Sequence, residues 1–148
     1  MRSNSKLNSG APGPDEDYPI VDITVNPRNE RIVNQMEKAR ESMESQNFVE
    51  AAQMYTKVLH EESSNIDCMY NRAVCLMHMG DHRYAVPDLL AVERENPFYD
   101  RQLYIGLAMC FASTNDFVTS VRWLSKGLIK FPKFVEGYVT RAKLYIQQ

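Results

Sequence analysis

From Ile32 onward, apolar side chains recur at three- and four-residue spacing with no strand-like alternation, which predicts helices throughout. Gln46-Asn47, Gly80-Asp81 and Asn115-Asp116 interrupt the pattern, and Pro97 and Pro132 end helices. The interruptions lie 34 and then 35 residues apart. A fixed period of that size predicts an all-α array of stacked helix hairpins. Residues 1–30 differ. They are polar through Pro14, continue with Asp15, Glu16 and Asp17, and then run Tyr18-Pro19-Ile20-Val21-Asp22-Ile23-Thr24-Val25. We expect a disordered or extended tail here, because one strand-like stretch without a partner is not a fold. Four aliphatics within residues 20–25 favour an extended segment docked on the domain or on a partner, with Tyr18 and Ile23 as anchors.

Laying the units over one another gives repeats at 32–65, 66–99 and 101–134, with Asp100 inserted and a partial unit at 135–148. Each turn is followed by a small residue (Ala51, Ala85, Ser120) and then by a large one (Tyr55, Leu89, Leu124). Val58, Val92 and Gly127 come next, and Ser63, Pro97 and Pro132 fall in register at the closing loops. Small residues let antiparallel helices approach closely, and large ones fill the groove between neighbouring hairpins. Each hairpin alone leaves an apolar face in water, so the units must stack. Tyr138, Val139, Leu144, Tyr145 and Ile146 surround the last helix with apolar surface, unlike a polar cap. The array is therefore expected to continue beyond the chain end or to meet a partner there.

On these positions the chain resembles the tetratricopeptide repeat (TPR) family. The third repeat carries Tyr104, Leu107-Ala108, Phe111, Ser120, Leu124, Gly127 and Pro132 at the family's pattern positions. The second carries Met69, Ala73, Leu76, Ala85, Leu89, Val92 and Pro97. The first keeps Ala39, Ala51, Tyr55 and Val58, but has polar Gln35, Lys38 and Ser42, which suits a helix exposed on one side. A fourth opens with Tyr138, Ala142 and Tyr145. The resemblance implies a right-handed superhelical stack of about 3.5 repeats. It also implies a non-catalytic protein–protein interaction scaffold, a subunit of a larger cytoplasmic assembly such as a ciliary or cytoskeletal complex, a cell-cycle ligase or a transport assembly. Of these, the ciliary or microtubule kind is our leading expectation.

The alternative is a chaperone adaptor. Some tetratricopeptide domains grip the acidic C-terminus of chaperones with Lys and Asn on the first helix, Asn on the third, and Lys and Arg on the fifth. In register this chain offers Met36, Arg40, Asn71, Gln102 and Gly106, and only Asn71 fits. Without the paired cations the charge-assisted bonds of carboxylate capture are lost, so this reading is disfavoured. Asn71 and Arg40 remain candidate partner contacts.

Of the 148 residues, 44% are hydrophobic, which excludes wholesale disorder. No apolar run approaches the ~18 residues of a membrane span, and the N-terminus lacks the apolar core of a secretory signal. A cytoplasmic protein is expected. The net charge of −2 argues against a nucleic-acid binder. Neither a Gly-rich phosphate loop nor a nucleophile elbow is present, so no enzyme and no cofactor are expected. Cys75, His78 and His82 mimic zinc spacing, but Gly80-Asp81 breaks the helix between the histidines and a fourth ligand is missing. Cys68, Cys75 and Cys110 lie in apolar helical stretches and are expected to be reduced and buried. Met36, Met43 and Met77 fall on first helices, which line the concave groove in this family, although core packing explains them more cheaply. Pro87 sits inside a helix, where it costs roughly 3 kcal/mol and is expected to introduce a kink.

Charge is divided unevenly along the chain. Residues 1–99 hold 10 basic and 16 acidic side chains, a balance of −6; residues 100–148 hold 7 and 3, a balance of +4. Arg122, Lys126 and Lys130 recur every four residues as one stripe, with Lys133 just beyond. One reading is a solvated outer face. The other is a docking stripe for an acidic partner segment, which residues 15–17 could satisfy in cis or between molecules.

Overall fold

A computed structural model describes residues 26–148, and among them there are seven helices and no strand. They are α1 (Pro27–Glu44), α2 (Phe48–Glu61), α3 (Ile66–His78), α4 (His82–Glu95), α5 (Gln102–Ala112), α6 (Phe117–Lys130) and α7 (Val135–Gln147). Each helix packs on the next; α5 also touches α3 and α7, so the first helices of successive hairpins lie side by side. The expectations for Tyr18 and Ile23 fall outside the described residues.

The first helix departs from the sequence reading. It begins at Pro27, five residues before Ile32 and within the stretch assigned to the tail. Asn26 caps it by accepting a hydrogen bond from the Arg28 N–H at 3.1 Å, and Pro27 takes the first turn, where its missing donor costs nothing.

The three interruptions are one device. Gln46, Gly80 and Asn115 adopt positive φ values of 61°, 84° and 61°. At each, the residue's own N–H reaches back three residues, and the following N–H reaches back five: Asn47 to Ser42, Asp81 to Leu76 and Asp116 to Phe111. This left-handed closure satisfies the last carbonyls of the first helix and turns the chain into the second.

The core follows the repeat register. Ala39, Ala51, Tyr55 and Val58 of the first repeat are buried against Cys68 and Cys75 of the second in the first cluster. Ala73, Ala85, Leu89, Tyr104 and Leu107 form the second cluster, and Ala108, Val121, Leu124 and Leu144 the third. Ser120 is fully buried and donates its hydroxyl to the Ala108 carbonyl at 2.6 Å. Arg72 and Asp88 join α3 to α4 through two hydrogen bonds of 2.7 Å. The three cysteines are free and buried, and burial pushes each thiol up to about 11. Helix α4 continues through Pro87, which is exposed, so water can reach the carbonyl that its missing N–H leaves free. Among the described residues no helix is long and apolar enough to cross a membrane.

Candidate functional site: the groove of the first helices

Side by side, α1, α3 and α5 present their uncovered residues to one groove. Between α3 and α5 it deepens into a cavity of about 420 Å³ walled by Tyr70, Val74, Met77, Leu89, Ile105 and Met109. Gly106 forms part of the lining. A Cβ there would stand 3.5 Å from Leu89 Cδ1 and 3.6 Å from Met77 Sδ, which is ordinary contact, so a methyl group would fit without displacing either. Gln102 sits at the rim and donates from Nε2 to Glu136 Oε2 at 2.7 Å.

A second hollow of about 280 Å³, between α1 and α3, brings together Val33, Met36, Arg40, Tyr55 and Asn71. Arg40 forms an ion pair with Glu37, which also lines it. Glu37 and other nearby carboxylates reinforce the charged guanidinium. All five positions of the chaperone grip thus face the groove: Met36, Arg40 and Asn71 in one hollow, Gln102 and Gly106 in the other. Met36 and Met77 line the groove, whereas Met43 packs on the core and receives the Tyr55 hydroxyl at 3.4 Å.

Cys75, His78 and His82 do not converge on one point, although both histidines border the cavity between α3 and α5. Cys75 is buried, His78 stacks on Phe48 at 4.4 Å, and His82 Nδ1 lies 3.2 Å from the Gly80 carbonyl. Among the described residues no group of three or more metal-capable side chains converges.

The basic stripe divides. Lys126 pairs with Glu93 of α4 at 2.6 Å, where the carboxylate is 11% exposed, and its ammonium also lies 5.0 Å from the Trp123 ring. Lys130 lies over Phe98 at 5.3 Å. Lys130 and Lys133 share a hollow of about 260 Å³ with Arg101, Phe131 and Phe134. Arg122 is exposed and lies near Asp116. That carboxyl is held below its usual range, first by its hydrogen bonds to Thr119 and then by Arg122. The sequence stripe named neither Arg101 nor the buried Glu93, since both belong to other helices or loops.

Helix hairpins crossing at small residues, stacked so that their first helices line one groove, make this a tetratricopeptide repeat fold. Solved structures of the same fold agree with it. The first TPR of Spaghetti (RPAP3), bound to the HSP90 peptide SRMEEVD, matches with a TM-score of 0.73 and 17% identity over 80% of this chain and 93% of that one. MamA from Desulfovibrio magneticus RS-1 matches with a TM-score of 0.74 and 15% identity over 78% of this chain, which spans only 65% of that protein. The Arabidopsis OM64 TPR domain gives 0.72 and 15% identity over 78% of this chain and 94% of that one. No protein-family profile matches the sequence. No curated protein sequence matches it either.

Proposed function

We propose that this protein is a non-catalytic interaction scaffold whose groove takes an apolar segment of a partner protein, within a larger cytoplasmic assembly. The cavity around Gly106 carries this reading. It is concave, predominantly apolar, and edged by a few polar groups such as Gln102 that can orient a bound chain. Met77 and Met109 give its wall adaptable, polarizable contacts. Among the assemblies that the sequence resemblance allows, the one we favour is of the ciliary or microtubule kind.

The groove argues against the chaperone-adaptor alternative. RPAP3 was solved with an acidic peptide, SRMEEVD. Where such a grip needs a lysine, this chain has Gln102 hydrogen-bonded to Glu136, so a carboxylate meets another carboxylate instead of a cation. Arg40, the groove cation nearest Asn71, is already paired with Glu37.

Two measurements test the reading. Titrating the peptide SRMEEVD into the full chain should give no measurable heat; micromolar binding would restore the adaptor reading. Affinity capture of the full-length protein from its native cells, read by mass spectrometry, should return a stable set of cytoskeletal or ciliary proteins. Stoichiometric chaperones in their place would overturn the assignment.

A further inference from the structure

We propose that the chain's own acidic run, Asp15, Glu16 and Asp17 with Tyr18 behind it, seats in cis on the hollow formed by Arg101, Lys130 and Lys133. This surface lies at the closing edge of the third repeat, and the inference is independent of the groove.

The hollow joins cations to aromatic faces. Arg101 stands 5.2 Å from the centre of Phe134, Lys130 stands 5.3 Å from that of Phe98, and Phe98 is 62% exposed beside Phe131. Such a surface suits carboxylates next to an aromatic ring. The three cations take part in none of the ion pairs among the described residues. The two carboxylates closest in sequence are engaged elsewhere. Asp100 accepts the Gln102 backbone N–H at 2.8 Å, and Glu136 accepts the Gln102 side chain. Among the described residues these three positive charges have no ionic partner.

Topology brings the acidic run within range. In the first and third hairpins the first helix starts where the second one ends: Arg28 near the start of α1 donates to the Glu61 carbonyl at 3.3 Å, and Tyr104 of α5 packs its ring 6.3 Å from that of Phe131, just past the end of α6. Asn26 thus leaves α1 at the same edge of the array that carries Arg101, Lys130 and Lys133. Neighbouring helices stand roughly 8–10 Å apart, which puts the hollow roughly 20–30 Å along that edge. The nine-residue step from Asp17 to Asn26 reaches at most ~30 Å when extended. The outer side of α1 is nearer but less suitable, because Glu30 lies there and Arg31 already pairs with Glu61. Occupied this way, the hollow becomes a surface that an acidic segment of a partner must displace the chain's own residues to reach.

The test replaces Tyr18 in the full-length chain with a photo-cross-linking benzoylphenylalanine and maps the products by mass spectrometry. Cross-links within one chain to Phe98, Arg101 or residues 130–134 are expected. With Lys130→Glu and Lys133→Glu their yield at low salt should fall about tenfold, the combined effect of several exposed ion pairs. Adding Asp15→Lys and Asp17→Lys to that variant should restore it, which separates charge pairing from damage to the fold. Cross-links between chains, cross-links to the outer side of α1, no cross-links, or a yield indifferent to the charge reversals would each overturn the proposal.

Discussion

Gly127 of α6 packs directly on the Tyr104 ring of α5: a Cβ placed on it would fall 2.5 Å from Tyr104 Cγ. Tyr104 is 1% exposed and its hydroxyl is fixed to the Pro97 carbonyl, so it has nowhere to retreat. Gly127→Ala should therefore destabilise the protein by about 1–3 kcal/mol despite the better helix propensity of alanine. Urea denaturation of the two forms checks this, and an unchanged midpoint would mean that α6 can slide away from α5.

Gln46 performs without a glycine the turn that Gly80 performs with one. Both have positive φ, and the bonds around them match. A side chain in that region costs roughly 1–2 kcal/mol, so Gln46→Gly should stabilise the protein by up to about 1 kcal/mol. Gly80→Ala should lower stability by a similar amount, even though nothing lies within 4 Å of its added methyl group. Thermal melts of both variants against the parent chain should shift in opposite directions.

Lys126 and Arg122 share a stripe but not a role. Removing the Lys126 ammonium leaves the buried Glu93 carboxylate unpaired, whereas Arg122 is exposed and has no ion pair among those of the described residues. Lys126→Met should cost about 1 kcal/mol, a figure discounted because the lysine is itself half exposed. Arg122→Met should stay within about 0.5 kcal/mol of the parent. Equal losses in denaturation midpoint would show that Glu93 keeps its solvation without Lys126.

The repeat was legible because its determinants are local and periodic. Gln46, Gly80 and Asn115 recur where the backbone must turn left-handed, and Ala51, Ala85 and Ser120 recur where two helices cross. The start of α1 was legible too, in Asn26-Pro27, but residues 28–31 are all polar, so the apolar period shows only from Ile32. What sequence spacing could not reveal were pairings between helices. Four-residue spacing puts Lys126 on a stripe, yet its direction is set by Glu93, which stands in the preceding hairpin. Nor does a lone glycine at 106 announce a cavity. Its walls come from three helices at once, with Met77 of α3, Leu89 of α4 and Ile105 of α5 among them.

Stability should also fall in alkali. Burial raises the thiols of Cys68, Cys75 and Cys110 from 9.0 to about 11, so each stays protonated in the fold while its unfolded counterpart ionises. Between about pH 9 and 11 the unfolded chain then holds fewer protons, and stability declines as pH rises. Below about pH 9 the contribution is complete. Tyr55, Tyr70 and Tyr104, pushed up to about 12, extend the decline at higher pH. Urea midpoints measured from about pH 8 to pH 10.5 should drop steadily; a flat profile would mean the thiols meet water in the folded state.

Gly106 separates groove function from fold stability. Its added methyl would meet Leu89 and Met77 at 3.5 and 3.6 Å, so Gly106→Ala should stabilise α5 by about 0.5–1 kcal/mol through helix propensity alone. Gly106→Trp places an indole into the cavity of about 420 Å³ and should occupy the space a partner's apolar side chain needs. In affinity capture the alanine form should retain its partners, while the tryptophan form, checked for an intact melting transition, should lose those that use the groove. If Gly106→Trp melts normally and still captures every partner, binding runs over another face of the array, and the cavity is only a gap left by packing between hairpins.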